Sequence, residues 1–249
     1  MSIAAFVNRS SKLTDSQAAL IVEALQIQQF DLFDTWRGDL SDIGGPADIM
    51  TPLLCADENR LPEGCYPVVF VDNPDVAGAL GYHSVDNGGK YYARIFTDLL
   101  LARGPWNETV SACASHEYVE MCLNAPCLIG VIGPKRVEGS RYQREGSDPV
   151  ESDSYWVNAD RDGFPHAVAV SNFVLPDYFR ASTPNGARVD FMGTCPGPFQ
   201  LAPGGYMLVG QDGLSIPTPI YAAKPPAPER VFYKTLGRRF YGGRGKVKP

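Results

Sequence analysis

The sequence predicts an α+β fold: helix, three strands and helix in the first half, then a loop-rich β region. Three observations predict it. An apolar-periodic run starts at a capping-box pattern, Thr14-Asp15-Ser16-Gln17. Short β-branched and aromatic segments bounded by turn residues follow between Tyr66 and Thr97. A second helical run, Glu108 to Asn124, then gives way to short apolar segments separated by Gly and Pro, and 25 Gly and 21 Pro in 249 residues predict many irregular connections.

In chain order, Thr14 is the N-cap with Gln17 at N3, and Ala18, Ile21, Ala24 and Leu25 share one face, so a helix is expected from Asp15 to about Phe30. Asp39 to Asn59, with Gly44-Gly45-Pro46, reads as loop. Tyr66–Asp72 is a buried strand turned by Asn73-Pro74-Asp75. Ala79–Val85 and Lys90–Thr97 are strands joined by the hairpin-type turn Asp86-Asn87-Gly88-Gly89. Gly104-Pro105-Trp106-Asn107 breaks the chain, and Asn107 is placed to cap the second helix. Further strands are expected near Cys127–Ile132, Tyr155–Asn158, Ala167–Val174, Val189–Met192 and Tyr206–Val209. There is no internal repeat. The expected division is a lobe over 1–125, a loop-rich β lobe over 126–215 and an arm over 216–249.

Composition restricts the function classes. With 44% hydrophobic and 20% charged residues, the chain can bury an ordinary core without a disulfide or metal staple. No run approaches the roughly 18 apolar residues of a membrane span, and Met1–Leu13 has no continuous apolar region, so no membrane partner and no cleaved signal peptide are expected. The six cysteines form no C-x-x-C pair. Free buried thiols are therefore the expectation, with a Cys55–Cys65 clip as the alternative. The net charge of −6 is uneven: residues 221–249 carry eight Lys or Arg and one Glu, with Lys224-Pro225-Pro226-Ala227-Pro228 and Gly242-Gly243-Arg244-Gly245. The acidic body is not expected to bind nucleic acid. The basic arm reads as extended, either solvated or docked on an acidic partner surface or nucleic acid.

The chemistry is concentrated in Ser115-His116-Glu117-Tyr118-Val119-Glu120. His116 and Glu120, four residues apart on a helix, can hold one cation between them. Glu117 follows the His, where a metallopeptidase keeps its general base. The pattern is H-E-x-x-E, one residue from the H-E-x-x-H zinc signature. A metal that activates water takes about three protein ligands and an open position. The third is expected from Glu145-Gly146-Ser147-Asp148-Pro149-Val150-Glu151-Ser152-Asp153, with Asp148 and Glu151 ahead of Glu145. His83 is a further imidazole that could orient substrate or contact metal. A carboxylate in place of the second His makes the site harder, which zinc tolerates and which also suits manganese or calcium.

Five segments together resemble an uncharacterised bacterial and bacteriophage-associated protein family with zincin-like features: Gly78-Ala79-Leu80-Gly81-Tyr82-His83, Ser115-His116-Glu117 through Glu120-Met121, Asp148-Pro149-Val150-Glu151, Val170-Ser171-Asn172-Phe173-Val174-Leu175-Pro176 and Ala202-Pro203-Gly204-Gly205-Tyr206. The similarity runs from about Gln17 to Val209 and leaves out the basic tail. It implies a zincin-like fold, in which a small mixed sheet with two helices precedes a loop-rich β subdomain that supplies the third ligand. Glu120 stands where the zincin signature has His, and the longer H-x-x-G-x-x-H continuation is absent.

The function expected is a zincin-like metal-binding protein. If active, it is a peptide-bond hydrolase with His116, Glu120 and Asp148 or Glu151 on a divalent metal, foremost zinc, and Glu117 as the base. The alternative is a bacteriophage virion structural protein, a capsid or tail component, on a catalytically inactive zincin-like scaffold whose basic arm contacts neighbouring subunits. The expected partners are accordingly a peptide or protein substrate, or virion neighbours, and the expected location is cytoplasmic or virion-assembled.

Overall fold

The computed structural model describes residues 2–133, 140–161, 163–184, 186–211 and 218–222. Its architecture is α+β. A five-stranded mixed sheet, β2-β1-β3-β5-β4, is built from β1 (Ile3–Asn8), β2 (Thr51–Cys55), β3 (Tyr66–Val71), β4 (Gly81–Val85) and β5 (Tyr91–Phe96). The first four in spatial order run parallel, and β4 pairs antiparallel with β5 at the edge. Helices α1 (Asp15–Trp36), α2 (Thr97–Leu101) and α3 (Thr109–Asn124) accompany this sheet. In the second half, β6 (Gly130–Ile132), β7 (Ser140–Gln143), β10 (Tyr206–Gln211) and β11 (Thr218–Tyr221) form an antiparallel sheet. The hairpin β8 (Ser154–Arg161) and β9 (Phe164–Ser171) is a separate two-stranded sheet that packs against α1 and α3.

Helix α1 begins as its capping box dictates. The Gln17 N–H donates to Thr14 Oγ1 (3.2 Å) and the Thr14 N–H donates to Gln17 Oε1 (2.9 Å). It runs to Trp36 instead of ending near Phe30, because Leu32 and Trp36 are also buried and Trp36 Nε1 donates to Val174 O at 3.1 Å. The loop expected over Asp39–Asn59 contains β2, whose pairing with β1 supplies order that its own composition does not. Strand β1 was not expected. It lies between β2 and β3 with Ala4 to Val7 all buried, so its apolar run lacks the alternation of a half-exposed strand.

The strand expected over Ala79–Val85 starts at Gly81, after a turn closed by Ala79 N–H to Val76 O (3.2 Å) with Gly78 at φ +80. The hairpin turn after it forms as expected, with Asp86 N–H on Lys90 O at 2.9 Å. The expected strand over Val189–Met192 is instead a single bridge, Val174 to Asp190. The strand near Cys127 starts only at Gly130, since Cys127 has φ +50. Asn107 does not cap α3: its side chain donates to Ala167 O (3.0 Å) and so ties α3 to β9, and the N-cap residue is Glu108.

One apolar cluster runs through both halves, from Phe6, Leu25, Val68 and Tyr118 to Val150, Val170, Phe173 and Phe199. Full burial of such a side chain stabilises by roughly 1.5–3 kcal/mol. Cys55 and Cys65 are free thiols. Strand β11 lies within the segment expected to be the arm, while residues 223–249, which carry its basic charge, lie outside the described residues. Among the described residues no helix is long and apolar enough to cross a membrane.

Arg144 fastens the second half onto α3. Though almost wholly buried, it donates through Nε to Leu123 O (2.8 Å) and through Nη1 to Gly45 O (2.6 Å) and Ile43 O (3.3 Å). Leu123 lies in the last turn of α3, where carbonyls have no partner within the helix. Replacing Arg144 by alanine leaves several buried carbonyls unpaired. A loss of about 3 kcal/mol is expected, seen as a fall of about 6–12 °C in thermal midpoint for a chain of this size. A change under about 2 °C would contradict the account of Arg144 as the fastening.

Candidate metal centre

Helix α3 is buried on almost every side, so each polar residue on it must find a partner or pay for its lost hydration. Ser115 does so within protein. Its Oγ donates to Gln28 Oε1 (2.7 Å) and accepts from the Ser171 N–H (2.8 Å), while Gln28 Nε2 donates to Ser171 O (2.8 Å). These three bonds lock α1, α3 and β9 together one residue before His116. Asn124 is also satisfied: its Oδ1 accepts from the Leu128 and Ile129 N–H groups (3.1 and 2.9 Å), and its Nδ2 donates to Glu145 Oε1 (2.9 Å).

Ser111 Oγ is buried without a partner among the described residues, and the ionisable residues His116, Glu117 and Glu120 remain. His116 Nε2 lies 3.1 Å from Glu120 Oε1 and 3.2 Å from Asp148 Oδ1. Glu120 Oε1 is nevertheless buried without a hydrogen bond. Close approach without hydrogen-bond alignment is what two ligands aimed at a common point produce. Donors about 2.0–2.2 Å from one tetrahedral ion stand about 3.3–3.6 Å apart. Buried His116, Glu120 and Asp148 could thus hold a metal ion.

Asp148 reaches this point because Gly146 lets its segment press on α3. A Cβ on Gly146 would stand 2.9 Å from Val119 Cγ1 and closer still to Leu123. Asp148 opens a short 3-10 turn containing Pro149, and Tyr206 Oη donates to its Oδ1. Glu151, the other leading candidate for third ligand, is not in the group of His116, Glu120 and Asp148; it lines the same cavity as His116, with Ser152 and Asp153. Glu145 also turns elsewhere, toward His83. His83, on β4, places Nδ1 in hydrogen-bond contact with Glu117 Oε2 (3.2 Å) and 3.4 Å from Glu120 Oε2, and Nε2 3.7 Å from Glu145 Oε2. Glu120 therefore stands between two imidazoles. Sequence reasoning missed Tyr206 and Cys127. Their order along the chain carries no sign of where they end up, although the Pro203-Gly204-Gly205 turn ahead of Tyr206 marks a place of close backbone approach.

The charges do not balance within protein. Four buried carboxylates, Glu117, Glu120, Glu145 and Asp148, face two histidines. Even doubly protonated imidazoles leave an excess of two negative charges, which is costly in a buried site. Without a cation, protons must make up the difference. Burial, reinforced by the Glu120 charge, raises Asp148 well above the usual carboxylate range. Burial pushes Glu145 up to about 8. Burial also raises Glu117. Burial opposes charge on both imidazoles, but Cys127 with Glu117 and Glu120 outweighs it at His83, and Glu120 with Asp148 outweighs it at His116, so both are held well above the ordinary value. Glu120 is the exception, because His116 and His83 overcome its burial and hold it well below the ordinary carboxylate value.

These shifts set a pH dependence for the cation-free protein. The folded state binds more protons than the unfolded chain at the raised carboxyls and at both histidines. The histidine contribution is complete below about pH 6.5 and is lost as pH rises through the folded values. Glu145 acts in the same direction between the ordinary 4.5 and about 8. The thermal midpoint of chelator-treated protein is therefore expected to be several degrees higher at pH 6 than at pH 8. A tenfold difference in proton affinity between the folded and unfolded chain is worth about 1.4 kcal/mol, and each kcal/mol moves the midpoint by about 2–4 °C. Cation affinity should run the other way, since protons compete with the ion. A chelated protein more stable at pH 8 would contradict this charge assignment.

A cavity of about 430 Å3 opens over His116 and Glu117, with Glu120 and Asp148 buried behind them. Leu80, Gly81 and Arg103 line one part of it, and Glu151, Ser152 and Gly204 another. Gly81 permits the close approach of β4: a Cβ there would stand 2.7 Å from Cys113 Sγ and 3.1 Å from Glu117 Oε1. Comparison with protein-family models, with curated proteins and with solved structures gives no match for the chain.

Proposed function

We propose that the chain is a zincin-like, metal-dependent hydrolase of peptide bonds, with zinc as its cation. One observation carries this reading: the open cavity meets His116 and Glu117 together, so a cation position and a carboxylate base face the same volume. The cation, when bound, supplies Lewis acidity and makes a water acidic enough to react near neutral pH. His116, Glu120 and Asp148 hold it, and Tyr206 fixes Asp148. Glu117, oriented by His83 Nδ1, accepts the proton from water, and its burial moves it toward the range in which a general base works.

Strand β4 suits a peptide substrate. It is the antiparallel edge of the first sheet. The Phe96 N–H donates to Leu80 O, so in the alternating antiparallel pattern Gly81 turns its own N–H and C=O away from β5. An extended peptide entering the cavity would add there as a further strand. The order of sheet, His-bearing helix and later acidic ligand agrees with the resemblance to the bacterial and bacteriophage-associated zincin-like family.

A second reading is a bacteriophage virion component whose cation is structural only. It is favoured by Glu117 being almost fully buried and hydrogen-bonded to His83, and by the eight Lys or Arg of residues 221–249. Glu117→Gln separates the two readings. As hydrolase, the wild type cleaves denatured casein, and the variant keeps its cation but loses about 100-fold or more in rate. A metal-loaded wild type without cleavage, or cleavage unaltered in Glu117→Gln, would overturn the catalytic reading.

A further inference from the structure

We propose that His83, Cys127 and Glu145 form a second, fully buried cation site for a thiophilic divalent ion such as zinc, distinct from the position at His116. Donor atoms of the three lie within 4.8 Å of one another. Their exposures are 6%, 7% and 5%. His83 Nε2 and Glu145 Oε2 are both buried without a hydrogen bond, 3.7 Å apart. Two such orphaned atoms, one nitrogen and one oxygen, aimed at the same space as a thiol, are costly unless a shared ligand occupies it.

Glu145 and His83 are each held from behind, which leaves an inner atom of each available, and the Cys127 thiol donates only a weak bond to Ala125 O at 3.7 Å. Asn124 Nδ2 donates to Glu145 Oε1 (2.9 Å), directing Oε2 inward. Asn124 Oδ1 accepts from the Leu128 and Ile129 N–H groups, fixing the turn that presents Cys127. His83 Nδ1 contacts Glu117 Oε2 at 3.2 Å. An imidazole that ligates through one nitrogen and donates its other N–H to a carboxylate is the usual arrangement at protein metal sites. The second ion would thus set the tautomer of His83 and, through it, the orientation of Glu117.

Charge points the same way. One dication at His116 leaves the four carboxylates in excess by two. Two dications against four carboxylates and one thiolate, with both imidazoles neutral, come within one unit of balance. A thiolate donor selects zinc, or cobalt as its substitute, over magnesium, calcium and manganese. Binding transfers the Cys127 thiol proton to solvent and moves no electrons. The His116 position has only nitrogen and oxygen donors, so the two ions are spectroscopically distinct.

The test is cobalt(II) substitution of the full-length protein, with metal content and absorption measured together. We expect two equivalents and a thiolate-to-cobalt charge-transfer band in the near ultraviolet. Cys127→Ser should lose the band and one equivalent, Glu145→Gln should weaken the band, and Cys113→Ser and His116→Ala should retain it. A wild type that binds one cobalt without a thiolate band, or a band that survives Cys127→Ser, would overturn this site while leaving the His116 centre standing. A wild type that binds no cobalt would overturn both. Because the wild-type spectrum is itself decisive, a variant that fails to fold does not rescue the proposal.

Discussion

Stripping divalent cations from the full-length protein is expected to lower its thermal midpoint at pH 7.5 by about 10 °C. A ligand present at about 1,000 times its Kd stabilises by about 4 kcal/mol, and each kcal/mol is about 2–4 °C for a chain of this size. The effect is this large because the cluster lies between α3, β4 and the segment carrying Glu145 and Asp148. Without a cation, those three parts of the fold press buried carboxylates against one another, and protons taken up by the raised carboxyls, Glu145 and Asp148 among them, and by both histidines relieve the repulsion. Differential scanning calorimetry with and without chelator, repeated after zinc is restored, measures it. A midpoint unmoved by chelator would mean that the cluster is a proton-balanced ion-pair network.

Glu120→Gln is expected to weaken cation binding by more than the roughly 100-fold typical of losing an outer partner of a metal ligand. Glu120 presents Oε1 to His116 and Oε2 to His83, so its charge serves both imidazoles at once. The amide keeps the shape and removes the charge. Glu117→Gln, one turn away, should cost less affinity at the His116 position, because Glu117 groups with His83 and Glu120 and not with His116 and Asp148. Competitive titration with a zinc indicator compares the two. Equal losses would place Glu117 among the ligands and remove it as base.

Much of the fold's first half was legible because its signals are local. The capping box at Thr14 and Gln17 and the hairpin turn at Asp86 to Gly89 each formed as their residue types demand. Strand β2 was not legible, because Thr51-Pro52-Leu53-Leu54-Cys55 carries no strand pattern and is ordered by its partner β1. The Val189–Met192 segment failed in the opposite sense: its apolar residues serve packing around Phe173 and Asp190 without a ladder.

At the site, helical spacing alone put His116 and Glu120 together, and the structure adds Asp148 to them. The separation of Asp148 from Glu151 was beyond sequence, since both lie at one short turn and the close approach of Gly146 to α3 and the Tyr206 bond to Asp148 are tertiary contacts. His83 was visible as an imidazole on a strand, but its register against Glu117 and Glu120 depends on β4 pairing at the sheet edge. Cys127 lay outside any spacing rule, because its partners are 44 residues before it and 18 after it in the sequence.

The proposed hydrolase depends on cation binding at the buried His and carboxylate cluster. The most direct test is elemental analysis of the purified full-length protein, loaded with zinc and dialysed against metal-free buffer, beside His116→Ala treated identically. At least one tightly held equivalent is expected in the wild type, with a clear loss in the variant. A wild type that retains no metal, or a His116→Ala variant that retains as much as the wild type, would contradict it.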